Sequence, residues 1–211
     1  MTVERTICLT NRNSDFLDRH MRILRILCLT LLISAYGCAH AGGGGGDTFR
    51  DSNMDFGSLQ SVAVMPFMNV SRDQLAADRV RDVFVIRLLA TGGLYVVPTG
   101  EVMKAITTLG ISNPGAPTNE EMAKLGTALK VQGIFTGMVR EYGEIRSGSS
   151  VANAISLSLQ LTEAQTGRIV WSASSTKGGI GLKDRLLGGG GDPMNDITVK
   201  AVDDLIDKLY K

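Results

Sequence analysis

Between Ile155 and Thr162 the chain alternates without a break. Ile155, Leu157, Leu159 and Leu161 are apolar, and Ser156, Ser158, Gln160 and Thr162 are polar. Successive side chains of a β-strand point to opposite faces, so this pattern specifies a strand with one face in a core and the other toward water. Such a strand calls for neighbours, and the flanking sequence supplies them. Ile134, Thr136, Met138, Arg140 and Tyr142 alternate with Phe135, Gly137, Val139 and Glu141 ahead of it. Ile169, Trp171 and Ala173 continue the alternation behind it, across a Glu163–Arg168 turn whose Gly167 suits a tight hairpin. The second half of the chain therefore predicts an antiparallel three-strand meander.

The first half has another period. Val62-Ala63-Val64-Met65-Pro66-Phe67 is a short apolar run stopped by proline, the mark of a buried strand. Ser71 and Gln74 have the spacing of a capping box, and Ala76, Val80, Val83, Phe84 and Leu88 then recur at helical intervals up to Gly92-Gly93. Leu94-Tyr95-Val96-Val97 is a second strand. Strand, helix, strand at this spacing predicts a right-handed crossover between two parallel strands. Thr99 is placed to cap a helix carrying Val102, Ile106 and Leu109, closed by Gly110. Thr118 to Glu121 forms a second capping box, ahead of a stripe at Met122, Leu125 and Leu129. Asp192 is placed to cap a last helix with Pro193 in its first position and Ile197, Ala201, Leu205 and Leu209 as its buried stripe. The fold class expected is α+β (mixed α/β): a parallel strand-helix-strand unit joined to an antiparallel three-strand meander, with helices packed on the sheet.

Ahead of this domain lies a segment of different character. Met21-Arg22-Ile23-Leu24-Arg25 brings two positive charges, an apolar run follows, and the small residues Ser34, Ala35 and Gly37 lead to Cys38. Positive start, apolar middle and small-residue end make a secretory signal peptide. The uncharged run from Ile26 to Gly37 falls short of the roughly 20 apolar residues that span a bilayer. Gly42 to Gly46 cannot extend it cheaply as helix. With cysteine at the cut point, the leader resembles a bacterial lipoprotein signal, although Ala35 stands where that family most often has leucine. The resemblance implies that Cys38 becomes the mature first residue and carries lipid of the palmitate kind. Ala39 in place of aspartate after it favours sorting to the outer membrane. The organisation expected is a leader over 1–37, a flexible glycine-rich tether over 38–57 and one periplasmic domain over 58–211. Residues 21–37 are the signal peptide. Residues 1–20 are either an over-extended start, with Met21 the true one, or a disordered extension.

Composition narrows the chemistry. The cysteines are Cys8, Cys28 and Cys38, and the histidines are His20 and His40. The domain itself thus contains neither type, which removes Ser-His-Asp and Cys-His triads and the common zinc sites. A lone Cys38 leaves no intramolecular disulfide in the mature chain, and lipid would consume its free thiol. The net charge of +1, from 22 basic and 21 acidic residues, carries no footprint of nucleic-acid binding. No catalytic, cofactor or metal residue is expected. The glycine runs between Gly178 and Asp192 match neither the dinucleotide fingerprint nor the phosphate loop, and they read as a loop carrying Leu182, Leu186 and Leu187. Asp203, Asp204 and Asp207 read as a solvated helix face. Ser147, Ser149 and Ser150 read as a hairpin tip with no base in view. An enzymatic alternative remains, a glycan hydrolase using Glu141 and Glu163, which needs the two carboxylates about 5–9.5 Å apart.

Four segments, in their order and spacing, resemble a known set. They are Val62-Ala63-Val64-Met65-Pro66-Phe67, Gly92-Gly93-Leu94-Tyr95-Val96-Val97, Gly133-Ile134-Phe135-Thr136-Gly137-Met138-Val139 and Thr166-Gly167-Arg168-Ile169-Val170-Trp171-Ser172. They are similar to the periplasmic domain shared by CsgG-type curli-secretion lipoproteins and LpoB-type activators of penicillin-binding proteins. The likeness covers roughly Ser61 to Lys211. It implies an outer-membrane lipoprotein that binds envelope proteins, a peptidoglycan synthase or a secretion partner among them, without catalytic residues of its own. The secretion branch implies long hairpins inserted as an oligomeric pore. The short Arg146–Ser150 connection and the charges at Arg140, Glu141, Glu144 and Arg146 favour the soluble adaptor.

Overall fold

The computed structural model describes residues 48–148, 150–180 and 191–211. The expectations for the leader, for Cys38 and for Leu182, Leu186 and Leu187 lie outside the described residues. Strands are β1 (Thr48–Arg50), β2 (Ser61–Val64), β3 (Met68–Asn69), β4 (Tyr95–Val96), β5 (Gly133–Ser147), β6 (Ser150–Glu163) and β7 (Ile169–Gly178). Helices are α1 (Ala76–Ala90), α2 (Thr99–Leu109), α3 (Asn119–Leu129) and α4 (Met194–Tyr210). The strands form one mixed sheet in the order β1-β7-β6-β5-β2-β4, with β3 also alongside β5.

The expected fold class is the observed one. β5, β6 and β7 are the antiparallel meander, with Phe135 opposite Leu161 and Leu161 opposite Trp171. β2 and β4 are the parallel pair, with Ser61 opposite Tyr95. The two parts meet where β2 lies parallel to β5, Val62 opposite Gly133 and Val64 opposite Phe135.

Alternation along the strands divides the core in two. On one face α1 and α4 cover Val64, Phe135, Val139, Leu157, Leu159, Leu161 and Trp171. An aromatic chain runs through this layer. Phe84 meets Phe135 edge-on at 5.1 Å between ring centres, and Phe135 meets Trp171 at 6.3 Å. On the other face α2 and α3 cover Ala63, Met65, Val97 and Ile134. Helix α3 sits close because Gly126 has no side chain. A Cβ there would lie 2.4 Å from that of Ala164, closer than two carbons can pack.

Four expectations need correction. The folded unit begins before Ser58. Thr48, Phe49 and Arg50 pair with Ala173, Ser172 and Trp171, so the C-terminal half of the expected tether is an edge strand and its connection. Asp51 is buried there and accepts from the Arg168 guanidinium. The Ser71 capping box does not form, because Asn69 competes for it. The Asn69 side-chain oxygen accepts from the Ser71 amide at 3.0 Å and hydroxyl at 2.8 Å, and Asp73 instead accepts from the Leu75 amide as α1 begins. Thr99 does not cap α2. It is the first helical residue, behind Pro98 in extended conformation. Pro193 likewise holds the cap position of α4, and Asp192 turns to Lys200. The Thr118 box does form, with the Glu121 amide donating to Thr118 Oγ1 and the Thr118 amide to Glu121 Oε2 at 2.7 Å.

Candidate functional site

The two faces of the sheet are unequally covered. Among the described residues, the face under α2 and α3 is closed only over β2, β4 and the start of β5. Beyond Ile134 the register sets polar and isolated apolar side chains in rows across the open part. Phe49, Ser172, Gln160 and Thr136 form one row, and Ser174, Ser158 and Met138 form the next. Thr176, Ser156 and Glu141 form a third, tied by a hydrogen bond of 3.2 Å between the Thr176 and Ser156 hydroxyls. These are the polar positions of the alternation that places the leucines in the core. Where the platform meets the loop before α3 there is a groove of about 340 Å³, lined by Met68, Pro117, Thr136, Met138, Arg140 and Gln160 among others.

A second groove, of about 600 Å³, lies at the far end of the same sheet. Here β5 outruns its neighbours β2 and β3. Its pairing with β2 and β3 ends at Val139, which accepts from the Val70 amide at 3.0 Å, yet β5 continues to Ser147. A bulge between Val139 and Glu141 sets Arg140 out of register with β6. The groove is walled by Val70, Ser71 and Arg72 on one side and by β5 from Arg140 to Arg146 on the other.

The carboxylate pair named as the enzymatic alternative is not brought together. Glu141 lies opposite Ser156 and Glu163 opposite Gly133, eight positions apart along β5, or roughly 25 Å. Glu163 instead accepts from the Thr166 hydroxyl in the hairpin turn. Asp203 and Asp204 of α4 bind cations. Asp203 takes a two-pronged bond from Arg87 of α1, at 2.6 and 2.9 Å. Asp204 sits between Lys208 at 2.9 Å and Lys177 of β7 at 3.2 Å. Burial pushes the Asp204 carboxyl up, but hydrogen bonds from these ammonium groups outweigh it and hold the pKa below the usual aspartate range. Asp207 is exposed. Ser147 pairs with Ser150 at the end of the β5–β6 hairpin, and Ser149 lies outside the described residues. Among the described residues, no three His, Cys, Asp or Glu side chains gather as a metal site. Among them, too, no helix is long and apolar enough to cross a membrane.

Arg81 escaped the sequence reading. It is 8% exposed inside the α1 contact with the sheet, where it donates to the Val64 carbonyl at 2.7 Å. Burial lowers its pKa. The signal was its place on the stripe, four residues after Ala77 and three before Phe84.

The family model described as "Putative lipoprotein GNA1162-like" matches residues 52–190. No curated protein matches the chain. Among solved structures, lipoprotein GNA1162 from Neisseria meningitidis is 18% identical over 72% of this chain and 98% of its own, with a TM-score of 0.52. The PelC dodecamer from Paraburkholderia phytofirmans is 14% identical over 77% of this chain and 98% of its own, with a TM-score of 0.51. These two share the fold. The LpoB C-terminal domain from Escherichia coli is 19% identical over 60% of this chain and 88% of its own, with a TM-score of 0.46.

Proposed function

The chain belongs to the GNA1162-like family, and from that premise we propose that it is an outer-membrane lipoprotein, held on the periplasmic side through Cys38, that acts by binding other envelope proteins without catalysis of its own. The observation that carries the reading is the half-open sheet. Among the described residues seven strands form the sheet, one face is closed, and the other is left uncovered over most of the meander with a groove at each end. A rigid platform of this kind suits a partner surface better than a small substrate. The anchor fits the same role. With β1 beginning at Thr48, Cys38 stands ten residues ahead of the sheet. The domain would then work close to the membrane.

A secretion-pore component is the second reading. It draws on β5 and β6, which run 15 and 14 residues against the roughly 9–11 of a membrane strand. It ranks second because the lower half of both strands lies in the domain core, and the remainder of β5 carries Arg140, Glu141, Glu144 and Arg146.

The test is purification of the lipidated chain from detergent-solubilised envelopes, with co-purifying proteins and the N-terminal peptide identified by mass spectrometry. A diacylglyceryl Cys38 and a saturable partner are expected. Cys38→Ser should move the chain from the membrane to the soluble fraction with an unchanged melting curve. An intact Met1 or Met21 on the mature protein would remove the anchor. Cleavage of envelope glycan by the purified chain would remove the non-catalytic reading, and rings of pore size would put the secretion reading first.

A further inference from the structure

We infer that the edge of β5 from Arg140 to Ser147 is a strand-addition site for an extended acidic segment of a partner protein; this deepens the binding reading and rests on it. β5 is paired with β6 along its whole length, from Gly133 opposite Glu163 to Ser147 opposite Ser150. Its other side is covered in two steps, by β2 over Gly133–Phe135 and by β3 over Met138–Val139. There the covering chain leaves, because Asn69 folds back on Ser71 and starts the turn into α1. Beyond Val139 no described residue pairs with this edge. A strand presents backbone N–H and C=O groups to its edge at alternate positions, so a row of groups unpaired among the described residues runs on for about 25 Å.

This edge is one wall of the 600 Å³ groove, and Val70, Ser71 and Arg72 are the other. An added strand would enter on the line that β3 vacates and continue the sheet. Main-chain bonds would hold it, and Ile145 in the groove wall would meet an apolar side chain on its face. Ile145 is 37% exposed, unlike the buried apolar residues of β5 below the bulge.

Charge selects the occupant. Arg72, Arg140 and Arg146 line the groove against Glu141 and Glu144. Arg146 holds Glu144 at 3.7 Å, whereas Arg72 and Arg140 have no ion-pair partner among the described residues. Two exposed guanidiniums at the entry end favour a carboxylate and repel a basic segment. The charges and the bulge deter indiscriminate edge pairing, as they do on other free edges, while leaving a strand of complementary charge admissible.

The experiment uses the full lipidated chain in detergent and two arrays of acetylated, dye-labelled octapeptides. Both alternate valine or threonine with polar residues. One array carries glutamate at each polar position in turn, and the other carries lysine. Fluorescence anisotropy should show saturable binding within the glutamate array and at least tenfold weaker binding throughout the lysine array. Hydrogen exchange should show that the best peptide protects amides within 140–147. Arg72→Glu combined with Arg140→Glu should weaken binding tenfold or more at an unchanged melting temperature. Absence of saturation in both arrays, equal binding by both, or protection confined to other segments would overturn the site. So would concentration-dependent protection of 140–147 without peptide, which would mean that a second copy fills the edge. An envelope partner retained by the double variant would overturn this site while leaving the binding reading intact; absence of any partner for the unaltered chain would overturn the reading itself.

Discussion

The lower and upper halves of β5 differ in everything that surrounds them. From Gly133 to Val139 the strand has neighbours on both sides, with Ile134 buried toward α2 and α3 and Phe135 toward α1 and α4. From Arg140 to Ser147 β6 is its one described neighbour, and Arg140, Glu141, Glu144, Ile145 and Arg146 are exposed. One continuous strand therefore serves as core at one end and as surface at the other. The difference shows that the residue pattern of a strand reports where its neighbours stop rather than where the strand stops. It also predicts where stability resides, because burial of apolar area contributes at about 25 cal/mol per Å² and almost all of it lies below the bulge.

The sharpest way to break this comparison is in the lower half. Trp171 is fully buried, stacked edge-on with Phe135, and donates its indole N–H to the Lys208 carbonyl at 3.3 Å. Trp171→Ala should cost about 3–5 kcal/mol in denaturant unfolding, the range of large aromatic truncations in a core. A loss near 1 kcal/mol would mean that the α1–α4 face is not the main core.

A smaller effect is expected on the second face, where α3 closes over the sheet. Thr118→Ala removes one half of the only capping box found among the described helices. The expected loss is about 1 kcal/mol. The matched substitution Ser71→Ala should leave the start of α1 in place, since Asp73 serves there, and the two unfolding curves together test which box is real.

The next effect depends on pH. The Asp204 carboxyl is held below its ordinary pKa, so between the folded and unfolded values the unfolded chain binds more protons than the folded one. The stabilisation is complete above the unfolded pKa, near 4, and is lost as pH falls through the lower folded value. Asp204→Asn should therefore lower stability by on the order of 1 kcal/mol or less at neutral pH, with the difference from the unaltered chain shrinking in acid. A difference that grows as pH falls would reverse the assignment.

How much of this was legible in the sequence depends on which neighbours a residue answers to. Ile155, Leu157, Leu159 and Leu161 are all buried, because strict alternation is a direct consequence of half-burial. The stripe of α4 and the left-handed Gly110 closing α2 were readable for the same local reason. β1 was not readable. Thr48, Phe49 and Arg50 are all exposed, show no pattern, and become a strand only through β7. The caps at Ser71, Thr99 and Asp192 failed where a competing side chain or a proline held the position. Of the candidate site, the length and charge of upper β5 stood in the sequence. That no described residue covers its edge did not, since this depends on where β3 turns away, some 70 residues earlier in the chain.

The smallest expected effect tests the upper half itself. Arg146 and Glu144 lie 3.7 Å apart on the hairpin, with side chains 74% and 64% exposed. A pair this exposed is screened by solvent and must immobilise two long side chains to form. A double-mutant cycle of Arg146→Ala and Glu144→Ala should give a coupling of no more than a few tenths of a kcal/mol, and either substitution alone should change unfolding by about 0.5 kcal/mol or less. The measurement bears on function as well as fold. If these residues contribute nothing to stability, their charges are free to be set by what the groove must accept or refuse. A coupling above about 1 kcal/mol would instead bind the upper hairpin into the cooperative unit, and the division between a core half and a surface half of β5 would no longer hold.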